Sequence, residues 1–354
     1  MYRNEIIEKL SLSDPASLSA LYAEAKAVKT KAIGNKVYLR GLIEFSNSCG
    51  KNCYYCGIRR DNKEVNRYEL TDEEVLAAVD FAWKNRYGSV VLQSGEQQSA
   101  RFTKRITRLL YIIKEYTHNE VGITLSCGEQ TAATYKEWFK AGAHRYLLRI
   151  ETSNRELFYK LHPDDNKHSF DTRLGALRLL RDEGYQVGTG VMIGLPFQTV
   201  DDLAGDLLFF QAMNVDMVGM GPYLEHSQTP LYPYRHLLLP PEKRLELALK
   251  MVATLRLLMP DINIAATTAL QVLHSEGREQ AVMAGANIIM PNMTLPEHRP
   301  DYLIYEHKPG VTDDAAVSKS KLEQNLHNAG IPIGYGEWGD SQHFLATNYT
   351  NFHE

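Results

Sequence analysis

Residues 37–56 read VYLRGLIEFSNSCGKNCYYC. The run 37–45 is apolar and β-branched, as a buried strand is. It leads straight into a loop carrying Cys49, Cys53 and Cys56 in the spacing C-x3-C-x2-C. A 4Fe–4S cluster is ordinarily held by four thiolates. Three at this spacing can wrap one face of the cube and leave one iron without a protein ligand. An open iron can then bind a small molecule, as an open zinc position does. A structural zinc site asks for a closed set of four ligands. The remaining cysteine, Cys127, falls at the end of a different predicted strand, and no His pair at finger spacing follows. Structural zinc and unligated loop cysteines are therefore the weaker alternatives.

The strand-then-loop unit repeats downstream. Apolar runs at 89–93, 121–126, 146–150, 186–193, 217–220, 263–266 and 287–290 alternate with amphipathic helical patterns at 73–85, 103–116, 134–141, 172–183, 201–213, 241–258 and 278–284. Such alternation implies parallel strands joined by right-handed crossovers. Eight units fit a closed (β/α)8 barrel of the TIM type, about 250 residues long, better than an open sheet. Residues 1–36 read as an N-terminal helical segment, with a helix start at Asp14-Pro15 and a stop at Gly34-Asn35. The barrel is expected over 37–300. Residues 301–354 lose the alternation and form a C-terminal extension. It has one more helical pattern at 317–329 and a tail rich in Gly and aromatics, IPIGYGEWGDSQHF, expected across one end of the barrel.

The chain has 354 residues, 44% hydrophobic and 23% charged, with a formal net charge of -4. That supports a full core and gives no basic surface for nucleic acid. No apolar run reaches the ~18 residues of a membrane span, and the opening MYRNEIIEKLSLSD is too polar for a signal peptide. The expectation is a cytoplasmic protein. Four cysteines, three of them clustered, suit metal or redox chemistry in a reducing compartment.

The triplet, with Tyr55 just before Cys56, resembles the signature of the radical S-adenosylmethionine superfamily. The resemblance implies one 4Fe–4S cluster whose open iron is chelated by the amino and carboxylate groups of S-adenosylmethionine. It also implies an external reductase or ferredoxin-type electron donor, and reductive cleavage of the cofactor to a 5'-deoxyadenosyl radical. Gln93-Ser94-Gly95-Glu96 resembles the segment that meets the cofactor's amino group, although a plain strand-to-helix turn would also read this way. Gly190 and Gly194 resemble the motif whose backbone flanks the adenine. Arg145, Arg149 and Glu151 share strand parity, which would place them inside the barrel, where charges must be paired or bound to ligand. An internal Arg–Glu pair is the bland alternative to a role for Glu151 at the ribose hydroxyls. Ser126 and Arg173 are the expected partners of the methionine carboxylate.

IEFSNSCGKNCYYCGIRRDN, VLQSGE, HRYLLRIET, GLPFQT, DMVGMGPYLEHSQTPL, AATTA and ANIIMPN together resemble one family, the FeFe-hydrogenase maturase HydE. Biotin synthase and methylornithine synthase are similar relatives. The resemblance implies a deeper barrel site for an organometallic substrate, an iron complex with cysteine, carbon monoxide and cyanide. Arg145, Thr267, Thr268 and Tyr302 would line it, although paired threonines at a strand end are often only β-formers. Other hydrogenase maturases would be partners. Some members carry a second three-cysteine motif near the C-terminus; here no cysteine follows Cys127, so one cluster is expected. The alternatives are an amino-acid mutase like methylornithine synthase, with a small-molecule substrate, or a non-catalytic iron–sulfur carrier.

Overall fold

The computed structural model describes residues 1–312 and 314–351. The chain opens with α1 (Arg3–Ser11) and α2 (Pro15–Ile33). The Asp14 carboxylate accepts from Ser17 N at 2.8 Å, Pro15 fills the first helical position, and Gly34 leaves the helix at φ 79°. Both helices lie against the outer helix layer, α2 on the helix at 241–258 and α1 on the one at 200–212.

Among the described residues ten strands follow: β1 (Tyr38–Ser46), β2 (Ser89–Ser94), β3 (Gly122–Ser126), β4 (Ala143–Leu147), β5 (Gln186–Thr189), β6 (Met192–Ile193), β7 (Met217–Val218), β8 (Gly221–Pro222), β9 (Asn263–Ile264) and β10 (Ile288–Ile289). Eight of them pair in parallel in the order β10-β1-β2-β3-β4-β5-β7-β9. The edges meet where Ala266 N donates to Ile288 O and Asn287 N to Ile264 O, at 2.8 and 2.9 Å, giving a nearly closed (β/α)8 barrel. The crossovers are α3 (Asp72–Lys84), α4 (Ala100–Tyr116), α5 (Ala132–Lys140), α6 (Arg155–Leu161), α7 (Phe170–Asp182), α8 (Val200–Ala212), α9 (Pro241–Leu258), α10 (Ala269–Leu273) and α11 (Gly277–Met283). The extension adds α12 (Ala315–Asn328) and α13 (Gln342–Asn351). No helix among the described residues is long and apolar enough to cross a membrane.

Three expectations need correction. The fourth strand is β4 at Ala143–Leu147, earlier than 146–150; beyond Leu147 only isolated contacts with the next strand continue, Leu148 N to Gly188 O at 2.9 Å and a single bridge at Glu151, which adopts φ 68°. The parity shared by Arg145, Arg149 and Glu151 therefore does not hold along one strand. The run 186–193 is split into β5 and β6 at Gly190, where a side chain would collide with the carbonyl of Gly219, between β7 and β8. Helices α3, α4, α5, α7 and α8 begin one to three residues before the apolar periodicity does. The side chains of Thr71, Ser99, Thr131, Ser169 and Thr199 cap them by accepting from backbone N–H groups of the first turn.

Residues 331–341 close the N-terminal end of the barrel. Val37 N donates to Pro332 O and Gly334 N to Val37 O, both at 2.9 Å. Gly339 O accepts from Arg40 at 2.8 Å and from Asn263 at 2.9 Å, and Asp340 pairs with Arg145 at 2.9 Å. His144 stacks against Trp338, 4.7 Å between rings, and sits 3.3 Å from Asp340. Burial holds the His144 imidazole down at about 4, with the Arg145 charge acting in the same direction. Its folded value thus lies below the usual ~6.5, so the unfolded chain takes up the proton first as pH falls. The native state loses stability between about pH 6.5 and 4, on the order of 1 kcal/mol from pH 7 to 5.5. Denaturant unfolding at those two pH values should show this loss in the parent, and His144→Gln should lack that component. Identical pH dependence in the two proteins would contradict the assignment.

Candidate active site

The triplet loop is held from both sides. Asn47, just past β1, donates to Asn66 O and Asp301 O at 2.8 and 2.7 Å. Arg67 donates to the carbonyls of Asn47, Ile58, Arg59 and Asn62 at 2.7–3.1 Å, stapling the loop's two ends together. Gly95, at the end of β2, presses on the same loop. Its N donates to Ser46 O at 2.9 Å, and a Cβ on it would overlap the Ser48 carbonyl and lie 2.8 Å from Cys49 Cβ. Only glycine allows that approach.

Cys49, Cys53 and Cys56 are free thiols. Burial raises the pKa of all three, pushing Cys53 up to about 12. An apolar pocket of thiols favours the neutral form until iron supplies the compensating charge. Among the described residues no three His, Cys, Asp or Glu side chains are grouped to hold a metal ion. Thiols that each take a different iron of one cube need not converge on one point, whereas a structural zinc site must. The donor set therefore fits a cube with one iron left open. Cys127 is 0% exposed, with its Sγ 3.8 Å from Leu92 O. It belongs to the core, and burial pushes its thiol up to about 12.

Beside the triplet lies a buried quartet of charges. Lys51 Nζ is 3.1 Å from Glu96 and 2.8 Å from Glu129, and Arg173, in the first turn of α7, is 2.5 Å from Glu129 and 3.7 Å from Glu96. Burial raises Glu96. It works the same way on Glu129, but there Arg173 and Lys51 outweigh it and the carboxyl is held low. Arg173 also donates to Arg149 O at 2.6 Å. Arg149 Nη2 reaches Glu151 at 3.0 Å and Val191 O at 2.8 Å. Arg149 Nε is nonetheless buried without a hydrogen bond, as befits a group that completes its bonding on a ligand. Gly194 turns at φ 75° beyond β6, its N bonded to Gln198 at 2.7 Å. Tyr55 OH meets His162 Nε2 at 3.3 Å. Ser94 Oγ donates to Gly95 O at 2.8 Å, and Ser126 ends β3 beside Gln93.

Deeper in the barrel the expected substrate residues separate. Thr267 Oγ1 is buried without a partner and faces Gly221. Thr268 lines a pocket of about 320 Å³ with Leu42, Met290 and Lys308. Tyr302 OH accepts from Gln93 at 3.1 Å near the upper end. Arg145 lies at the lower end and is largely committed: Nε to Thr124 at 3.1 Å, Nη1 to Trp338 O and Asp340 at 2.8 and 2.9 Å. Its Nη2 alone is buried and unbonded. Lys51, Glu129 and Arg67 gave no sequence signal, since a charged residue in a loop reads as solvated. Glu44 and Lys308, 2.5 Å apart under Tyr302, escaped notice because 264 residues separate them. His226 is 6% exposed and packs on Gly57.

Gly95→Val should cut the iron retained after reconstitution to below half of the parent's, with a matching fall in visible absorbance, while Cys127→Ala keeps both. Full iron in Gly95→Val would mean the loop does not depend on that approach. Lys51→Ala should destabilise the fold by ~3–5 kcal/mol in denaturant unfolding, because two buried carboxylates are left with one cation. A loss below ~1 kcal/mol would show the quartet to be solvated.

Residues 43–210 match the Radical SAM superfamily. The [FeFe] hydrogenase maturase subunit HydE of Thermotoga maritima is 44% identical over 86% of this chain and 84% of its own length. The 3-methylornithine synthase of Methanosarcina barkeri is 31% identical over 81% of this chain and 78% of its own. The crystal structure of methylornithine synthase (PylB) superimposes with a TM-score of 0.79 at 26% identity, covering 95% of this chain and 94% of that one. With the thiol triplet at the mouth of the barrel, these likenesses place the chain in the radical S-adenosylmethionine superfamily as a radical SAM enzyme of the HydE family.

Proposed function

We propose that this enzyme is a HydE-type maturase, acting on a cysteine-ligated iron carbonyl/cyanide complex during assembly of the FeFe-hydrogenase active site in the cytoplasm. The observation that carries this reading is the 44% identity to the Thermotoga HydE, against 31% to a 3-methylornithine synthase of similar coverage. Its partners would be a low-potential electron donor and the other hydrogenase maturases.

Cys49, Cys53 and Cys56 would hold the 4Fe–4S cluster. When bound, the cluster and S-adenosylmethionine supply a carbon-centred radical at the adenosyl 5' position. The protein's own residues orient and shield. Glu151 and its partner Arg149, whose Nε is buried and unbonded, suit the ribose hydroxyls, and the backbone at Gly190 and Gly194 suits the adenine. Arg173 and Ser126 serve the methionine carboxylate, Arg173 by exchanging its 3.7 Å contact with Glu96 for the ligand. Glu96 and the backbone at Ser94 and Gly95 would meet the amino group, with Tyr55 packed on the loop beneath. In the interior, the Thr267 hydroxyl, the Tyr302 phenol and the free Nη2 of Arg145 offer hydrogen bonds to an anionic or carboxylate-bearing complex.

The second reading, an amino-acid mutase like methylornithine synthase, draws on the 0.79 TM-score to that enzyme. A carrier without catalysis would need a fourth thiolate and no such interior. The readings separate when the reconstituted, reduced enzyme is offered the cysteine-ligated iron complex or a mixture of free amino acids. Substrate-dependent 5'-deoxyadenosine is expected with the complex alone. Thr267→Val should lower that reaction at least tenfold and leave the slow substrate-free cleavage unchanged. Turnover of a free amino acid with no response to the complex would overturn the maturase reading.

A further inference from the structure

We infer that the apolar collar beside the cluster loop is the docking surface for an acidic one-electron carrier protein of the iron–sulfur ferredoxin type. This rests on the proposed function only in requiring a cluster on Cys49, Cys53 and Cys56.

The collar is the 3₁₀ segment Tyr232–Leu237 and the residues after it. Tyr234, Leu237 and Leu239 are 43%, 48% and 45% exposed, and Phe197 next to them is 39% exposed. Phe197 meets Tyr234 edge to face at 4.9 Å and sits at φ 70°, a conformation an aromatic residue adopts only at a cost. Phe197 and Tyr234 touch, Leu237 follows one 3₁₀ turn after Tyr234 and Leu239 two residues later, so four exposed large apolar side chains fall on and beside one short segment, the kind of surface that marks an interaction site.

The patch is joined to the cluster loop by main-chain bonds. Leu231 N donates to Tyr54 O at 3.0 Å, and Tyr54 N to Leu161 O at 2.9 Å. Tyr54 lies between Cys53 and Cys56, so a protein seated on the collar stands one loop away from the three thiols. Arg59 of the same loop donates to Gln228 O at 3.2 Å. The collar's rings also carry cations. Lys160 Nζ lies 5.3 Å from the Phe197 ring centre and the Arg235 guanidinium 4.4 Å from that of Tyr232. Neither cation forms an ion pair with a carboxylate among the described residues. Both are therefore available to an acidic partner, on a chain whose net charge is -4. A small apolar patch with a cationic rim suits a brief electron-transfer encounter, whose interfaces lie below about 1,200 Å².

The step delivered there is one electron. The donor's reduced cluster is oxidised and the cluster on the triplet is reduced, with no bond made or broken and no proton required. Dithionite, a small chemical reductant, bypasses docking.

The test measures 5'-deoxyadenosine formation with a reduced bacterial two-[4Fe–4S] ferredoxin and, separately, with dithionite, together with the Kd for that ferredoxin. The variants are Lys160→Glu/Arg235→Glu and Leu237→Ser, with Lys136→Glu as a remote control. The collar variants should lower the ferredoxin-driven rate and weaken the Kd at least tenfold, leave the dithionite-driven rate within twofold, and stay unlike the control. An unchanged ferredoxin-driven rate and Kd, an equal fall with both reductants, or a change of oligomeric state would each overturn the assignment. If the parent makes no 5'-deoxyadenosine with dithionite, the proposed function fails, and the Kd measurements still decide the docking surface.

Discussion

Lys51 reaches back from the cluster loop and buries its ammonium between Glu96 and Glu129, at 3.1 and 2.8 Å. That one contact ties the loop after β1 to the ends of β2 and β3, and through Arg173 to the start of α7. Four charges out of water are tolerable only as a balanced set. Each therefore fixes the others, and together they fix where the thiols of Cys49, Cys53 and Cys56 can stand. The glycine at 95 completes the constraint by letting the β2 end touch the loop backbone. The fold elsewhere serves this corner, with Arg67 gathering four loop carbonyls and Asn47 clamping the strand end.

The barrel has unlike ends. Its C-terminal mouth carries the thiols, the Arg149–Glu151 pair and the unbonded Nε of Arg149, as expected where strand ends and loops meet. Its N-terminal end is closed by the tail, where Asp340 takes up the Arg145 charge and Gly339 O the Arg40 guanidinium. A barrel interior with two buried arginines would be costly without that closure. The tail is thus part of the interior's charge balance as well as a cover.

The barrel was legible because β1, β2 and β3 are continuous apolar runs followed by amphipathic helices, and the triplet because its spacing sits at the end of the first of them. What escaped the sequence depends on distance along the chain. Arg145 was expected to line the substrate site, but Asp340, 195 residues later, holds most of it. Glu44 lies in an apolar strand, and Lys308 comes from a segment with no pattern of its own. Strand β4 was placed late because Leu148 and Ile150 continue the apolar run past Leu147, where regular strand pairing ends. The pairing of Arg149 with Glu151 was anticipated, although the left-handed residue at 151 rather than strand parity brings them together.

The most direct test of the account is electron paramagnetic resonance of the anaerobically reconstituted, reduced protein, recorded with and without S-adenosylmethionine. The account predicts a 4Fe–4S signal that changes when the cofactor is added, because the iron left open by the three thiols takes it up. A signal indifferent to the cofactor, or zinc bound in place of iron, would contradict it.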